Sequence, residues 1–72
     1  MTSAQITRTL TEVPFQNFKI HIADGRTILV RHPEIVRLTG GGYLAIVENA
    51  EGMDEVIDVL MIVSLRPTND RV

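Results

Sequence analysis

Apolar and polar residues alternate along residues 18–22, and a second run of strand-forming residues follows an Asp-Gly pair at Asp24 and Gly25. Alternation with a period of two is typical of a strand with one buried face, and Asp-Gly supplies the backbone conformations that a tight turn needs. The pattern predicts a β-hairpin closed by a two-residue loop. In that register Ile20 lies opposite Leu29.

A short helix is predicted ahead of the hairpin, over about residues 3–12. Thr2 and Gln5 have the spacing of a capping box, in which the threonine hydroxyl accepts from a backbone amide and the glutamine side chain reaches back to the threonine amide. Ile6 and Leu10 share one face of such a helix. We expect the helix to form because this apolar stripe docks on the rest of the domain.

Three apolar runs follow the hairpin. Residues 35–38 and 43–47 are predicted strands, separated by a glycine-rich turn. Residues 56–65 form a run too long for a typical strand, and three interpretations stay open: one bent strand, a buried helix, or two short strands joined by a tight turn near residues 60–61. Residues 68–72 are expected to be a loose tail.

The order of these elements predicts one mainly β domain over residues 1–72, with a five-stranded small barrel over about residues 17–67. The second hairpin strand carries apolar residues on both faces at positions 28–30. A strand of that kind suits a strongly bent strand that both halves of a barrel share.

Two stretches of the chain resemble a pattern found in short, uncharacterised bacterial proteins. They are PFQNFKIHIADGR at residues 14–26 and VRHPE at residues 30–34. The resemblance covers about a third of the chain, and it implies a bacterial origin without an established activity.

The order of the elements, together with the ending IVSLRP at residues 62–67, resembles Sm-like proteins, particularly the bacterial RNA chaperone of that fold. This resemblance implies an Sm-like or SH3-like small barrel whose subunits pair their edge strands into a homo-oligomer. In the chaperone a Lys-His pair ahead of the last motif contacts RNA, and the corresponding positions here are Val59 and Leu60.

Size and composition then narrow the function classes. A domain of 72 residues without cysteine buries only about 60% of the surface of its unfolded chain, so oligomerisation or an unusually apolar core must support it. A formal net charge of −2 gives no general attraction for nucleic acid. No secretory signal and no apolar run of about 20 residues is present, so we expect a cytoplasmic protein without membrane association.

The candidate catalytic and metal-binding residues are few. His21 and His32, with Glu34 or Asp24, could form a metal site or an acid–base pair, but their spacing is not a ligand motif. The glycine-rich segment at residues 39–42 lacks the lysine and the following helix of a phosphate-binding loop. We therefore expect surface and turn roles for these residues, no cofactor and no enzymatic activity.

The resulting hypothesis is a non-enzymatic module that associates with itself or with an unidentified protein partner. The apolar residues predicted to form the interface are Ile28, Val30, Val59, Leu60 and Met61.

The alternative is an Sm-like oligomer that binds RNA or other nucleic acid, although the net charge disfavours it. A positive strip on the hairpin would make the contact. Its residues are Lys19, His21 and Arg31.

Overall fold

The computed structural model describes residues 1–68. Within them the chain forms one short helix and six strands, arranged as two three-stranded antiparallel sheets. The helix α1 is Ser3–Leu10, and the strands are β1 (Phe18–Ile22), β2 (Thr27–Val30), β3 (Val36–Thr39), β4 (Leu44–Glu48), β5 (Asp54–Asp58) and β6 (Ile62–Pro67). Sheet A has the strand order β2-β1-β6, and sheet B has the order β3-β4-β5.

The predicted five-stranded Sm-like or SH3-like barrel is wrong, because neither sheet closes into a barrel. β2 is not shared by two halves of a barrel: it ends at Val30, the break expected at His32 and Pro33 is present as a 3₁₀ turn at Pro33–Ile35, and β3 then joins the other sheet. Proline has no amide hydrogen to donate to a neighbouring strand, so pairing stops there. The mainly β character and the short N-terminal helix agree with the prediction.

The sixth strand comes from the apolar run 56–65. A 3₁₀ turn at Val59–Met61 divides this run, so that it contributes to β5 in sheet B and to β6 in sheet A. Of the three interpretations left open, two short strands joined by a tight turn is therefore confirmed.

The predicted hairpin is present, but its register is wrong by one residue. Ile20 lies opposite Ile28 rather than Leu29. The loop has three residues, since the Ile22 amide donates to the Arg26 carbonyl at 2.9 Å. Such loops combine a turn with a glycine in the left-handed region.

This register separates the two faces of β2. Ile28 and Val30 lie on the inner face of sheet A, and Leu29 lies on the outer face opposite Lys19. Val30 is fully buried, while Leu29 is partly exposed. A shift of one residue moves every side chain of a strand to the opposite face. The three-residue loop therefore decides that Ile28 and Val30, rather than Leu29, face the core.

The core lies between the inner faces of the two sheets and is closed by α1. Its buried residues are Ile6, Phe18, Ile20, Ile22, Val30, Val36, Ala45, Val47, Ile57, Val59 and Ile62. The ring of Phe15 packs edge-on against Phe18 with centroids 6.0 Å apart. Both phenylalanines therefore fasten the entry into β1 to the core.

The helix follows local rules at both ends. The capping box is confirmed, because the Thr2 side chain accepts from the Gln5 amide and the Gln5 side chain accepts from the Thr2 amide. The helix ends at Leu10, slightly before the predicted end near residue 12. There the Thr11 hydroxyl donates to the Thr7 carbonyl at 2.8 Å, a side-chain bond that competes with continued helix.

The predicted loose tail is described only at Thr68, whose amide donates to the Asn17 carbonyl at 3.0 Å. The rest of that tail, residues 69–72, lies outside the described residues.

The hairpin loop gives the first prediction. Gly25 has φ of +96° and no heavy atom within 4 Å of where a Cβ would lie, so Gly25→Ala introduces backbone strain without a steric clash. We expect the free energy of unfolding to fall by about 1–2 kcal/mol, measured by urea denaturation. Gly25→Asn should lose less, because asparagine tolerates this conformation. Equal stability of the alanine variant and the wild type would contradict the assigned loop.

Candidate interaction surface

The structure divides the predicted interface residues between the core and the surface. Val30 and Val59 are buried, and Ile28 packs against the core as a partly buried residue. Leu60 is 75% exposed and Met61 is 46% exposed. Of the predicted set, Leu60 and Met61 are therefore the two most accessible to a partner.

A larger apolar area, absent from the predicted interface, lies on the outer face of sheet B. Ala45, Val47 and Ile57 face the core, so the alternate residues of β4 and β5 face outward. Ile46 lies directly opposite Val56, which is 65% exposed. The outer face of sheet B thus carries apolar side chains where an antiparallel sheet usually carries polar ones.

The Val59–Met61 turn continues this area beyond the end of β5. The Asp58 carboxylate accepts from the Leu60 amide at 2.9 Å and so caps the turn. The Val59 amide donates to the Tyr43 carbonyl at 2.9 Å, and the Ala23 amide donates to the Met61 carbonyl at 2.8 Å. Both sheets therefore hold the turn that exposes Leu60.

We use the name "apolar surface" for the outward residues of sheet B together with the capped turn. Its members are Leu44, Ile46, Val56 and Leu60. Leu44 lies opposite Asp58, whose carboxylate caps the turn that carries Leu60. A signal for it was present in the sequence, because residues 43–47 are apolar without interruption and so place apolar side chains on both faces of the strand.

Charged residues border the apolar surface on opposite edges. Arg37 lies on β3, opposite Ile46. Asp54 and Asp58 lie on β5, two residues to either side of Val56. Among residues 1–68, Arg37, Asp54 and Asp58 form no ion pair. The outer face of sheet B therefore carries a cation on β3, two carboxylates on β5 and apolar residues between these edges, with one further carboxylate, Glu48, at the end of β4.

The predicted nucleic-acid contacts are only partly brought together. Lys19 and His21 lie two residues apart on the outer face of sheet A, and Arg31 follows the end of β2. Arg66, which sequence reasoning missed, lies directly opposite Lys19 on β6. The pairing of β1 with β6 joins distant parts of the chain, so no local pattern could have shown this neighbour.

His21 sits between two strands of sheet A, opposite Thr27 on one side and Ser64 on the other. Its Nε2 atom is buried and has no hydrogen-bond partner among the described residues. His32 instead lines an open cleft between β2 and the β4–β5 loop. Among residues 1–68, no three histidine or acidic side chains form a group that could hold a metal ion.

The cleft near His32 has a volume of about 640 Å³. Its walls mix charges of both signs, with Arg31 and His32 on one side and Glu48 and Glu51 on the other. Ile28, Leu29 and Ile35 supply its apolar part. Such a lining does not select one ligand chemistry.

A polar network joins the hairpin loop to sheet B. Asp24 accepts from the Arg26 amide at 3.0 Å and from Arg26 Nε at 2.8 Å. The Arg26 guanidinium also donates to Glu55, which accepts from Asn49 Nδ2 at 3.3 Å. The Arg26 backbone amide, followed by its side chain, lowers the pKa of Asp24, and the two carboxylates raise the pKa of Arg26.

No family model, curated protein or solved structure matches the chain. The resemblance to the bacterial sequence pattern therefore stays a prediction. No helix within residues 1–68 is long and apolar enough to cross a membrane.

The network gives a pH prediction. Because folding lowers the pKa of Asp24 below its ordinary value of 3.8, its contribution to stability is present above that value and is lost as the pH falls through the folded pKa. Arg26→Gln should raise the pKa only in part, since the backbone amide is the main cause. NMR titration of the Asp24 carboxyl in both proteins measures this, and a wild-type pKa of 3.8 or above would contradict the network.

Proposed function

We propose that the protein is a non-enzymatic binding module that associates with a second copy of itself through the apolar surface. The observation that carries this proposal is the exposure of Val56 and Leu60, 65% and 75%, on a regular sheet and a capped turn. Large exposed apolar areas mark interaction sites in soluble proteins. The surface also contains Leu60, one of the interface residues that the sequence predicts.

The size of the chain supports the same proposal. The core of a 72-residue domain is small, and without disulfides such domains gain stability by oligomerisation. Burying the apolar surface against a second copy would remove Ile46 and Val56 from water at about 25 cal/mol per Å². Association would therefore stabilise the fold as well as produce an assembly.

The rigidity of the scaffold supports it further. Pairing with β4 fixes Val56, and hydrogen bonds to Tyr43 and Ala23 fix the turn that carries Leu60. A preorganised surface loses little conformational entropy when a partner binds. The residues are thus presented in one arrangement before contact.

Val56→Lys or Leu60→Lys should weaken self-association by about tenfold or more, because each places a charge in an apolar contact. Val13→Lys is the matched control, since Val13 is 95% exposed and lies between α1 and β1. Light scattering on a size-exclusion column, over a range of concentrations, measures the mass against the 8.0 kDa monomer. A wild type that stays at 8.0 kDa throughout, or unchanged association of both surface variants, would contradict the proposal.

A second candidate function is binding of single-stranded nucleic acid by the outer face of sheet A. The direct pairing of Lys19 with Arg66, close to His21, favours it. Two adjacent cations supply a local field despite the negative net charge.

For this candidate, the double change Lys19→Glu and Arg66→Glu should abolish binding of a fluorescent oligo-U RNA at low salt, as measured by anisotropy. Arg8→Glu is the control, because Arg8 is an exposed cation on α1. If the wild type does not bind the RNA at low salt, this candidate function is excluded.

A further inference from the structure

We propose that two copies pack outer face to outer face across sheet B, about a two-fold axis parallel to its strands. This inference rests on the self-association proposed above and adds its geometry. The two edges of that face carry opposite charges. Arg37 lies on β3, and Asp54 and Asp58 lie on β5.

Along the strand direction, Arg37 is level with the midpoint between Asp54 and Asp58. Arg37 shares a row with Ile46 and Val56. Asp54 and Asp58 are each two residues from Val56, which is about 7 Å along the strand. A charge held above Val56 therefore lies between the two carboxylates.

A two-fold axis parallel to the strands places β3 of one copy over β5 of the other. Arg37 of the first copy then faces the space between Asp54 and Asp58 of the second, and symmetry repeats the contact. The apolar surfaces meet between the two contacts. Guanidinium–carboxylate pairs at the border of an apolar contact give both orientation and attraction.

The alternative arrangements bring like charges together at the edges of the face. An axis across the strands places β3 over β3 and β5 over β5, so that Arg37 faces Arg37 and the acidic edges face each other. Edge-to-edge pairing of β5 with β5 around Val56 places Asp54 directly opposite Asp58, which is unfavourable. Of these three arrangements, only the axis parallel to the strands makes both edges complementary; its one like-charge approach is between the two Glu48 side chains, at the end of β4.

Charge reversal on one edge at a time tests this geometry. Arg37→Glu and Asp54→Arg are chosen because both sites lie at the surface, and Asp54→Arg leaves the Asp58 cap of the turn intact. Each variant alone should associate about tenfold or more weakly than the wild type. An equimolar mixture should recover association as a heterodimer, because both contacts then join opposite charges.

Native mass spectrometry of the mixture counts homodimers and heterodimers, and circular dichroism checks the fold of each variant. Arg66→Glu mixed with Asp54→Arg is the control and should give no excess of heterodimer, since Arg66 lies on sheet A. Should Arg37→Glu unfold, Arg37→Gln replaces it and should still weaken the homodimer.

The outcomes separate the two proposals. Recovery in the mixture supports the two-fold geometry. A wild type that dimerises while both charge variants dimerise equally well overturns the geometry and leaves self-association standing. A wild type that remains at 8.0 kDa at every concentration overturns both.

Discussion

The fold depends on packing the inner faces of two small sheets against each other. Ile20 and Val30 from sheet A and Val47 from sheet B are fully buried there, and α1 adds Ile6. Because each strand has only two faces, committing one to this core leaves the other to water or to a partner. The apolar residues on the outer face of sheet B are therefore outside the described core. In the proposed dimer, a second copy covers them.

Two polar contacts link the hairpin of sheet A to β5 and to the turn that follows it. The Arg26 guanidinium reaches from the hairpin of sheet A to Glu55 on β5, and the Met61 carbonyl accepts from the hairpin amide of Ala23. The capped turn that exposes Leu60 lies next to the second contact. The hydrogen bond between Ala23 and Met61 therefore links the hairpin to the same turn that exposes Leu60.

Features set by residues a few positions apart were predicted better than features set by contacts between distant strands. The Thr2 capping box depends on residues three apart and was predicted correctly. The hairpin register depends on whether Ala23 joins the loop, and the residue types allow both loop lengths. Barrel closure and the Lys19–Arg66 pairing depend on contacts between distant strands. Within 56–65, the 3₁₀ turn breaks the alternation, so the exposure of Leu60 beside buried Val59 could not be read from periodicity.

The most direct test of the central claim is an NMR dilution series of the wild-type protein, following backbone amide signals. If the outer face of sheet B is the interface, the signals of Ile46 and Val56 should shift with concentration, while that of Leu29 on sheet A stays fixed. Signals that do not move, or that move on sheet A instead, would contradict the account.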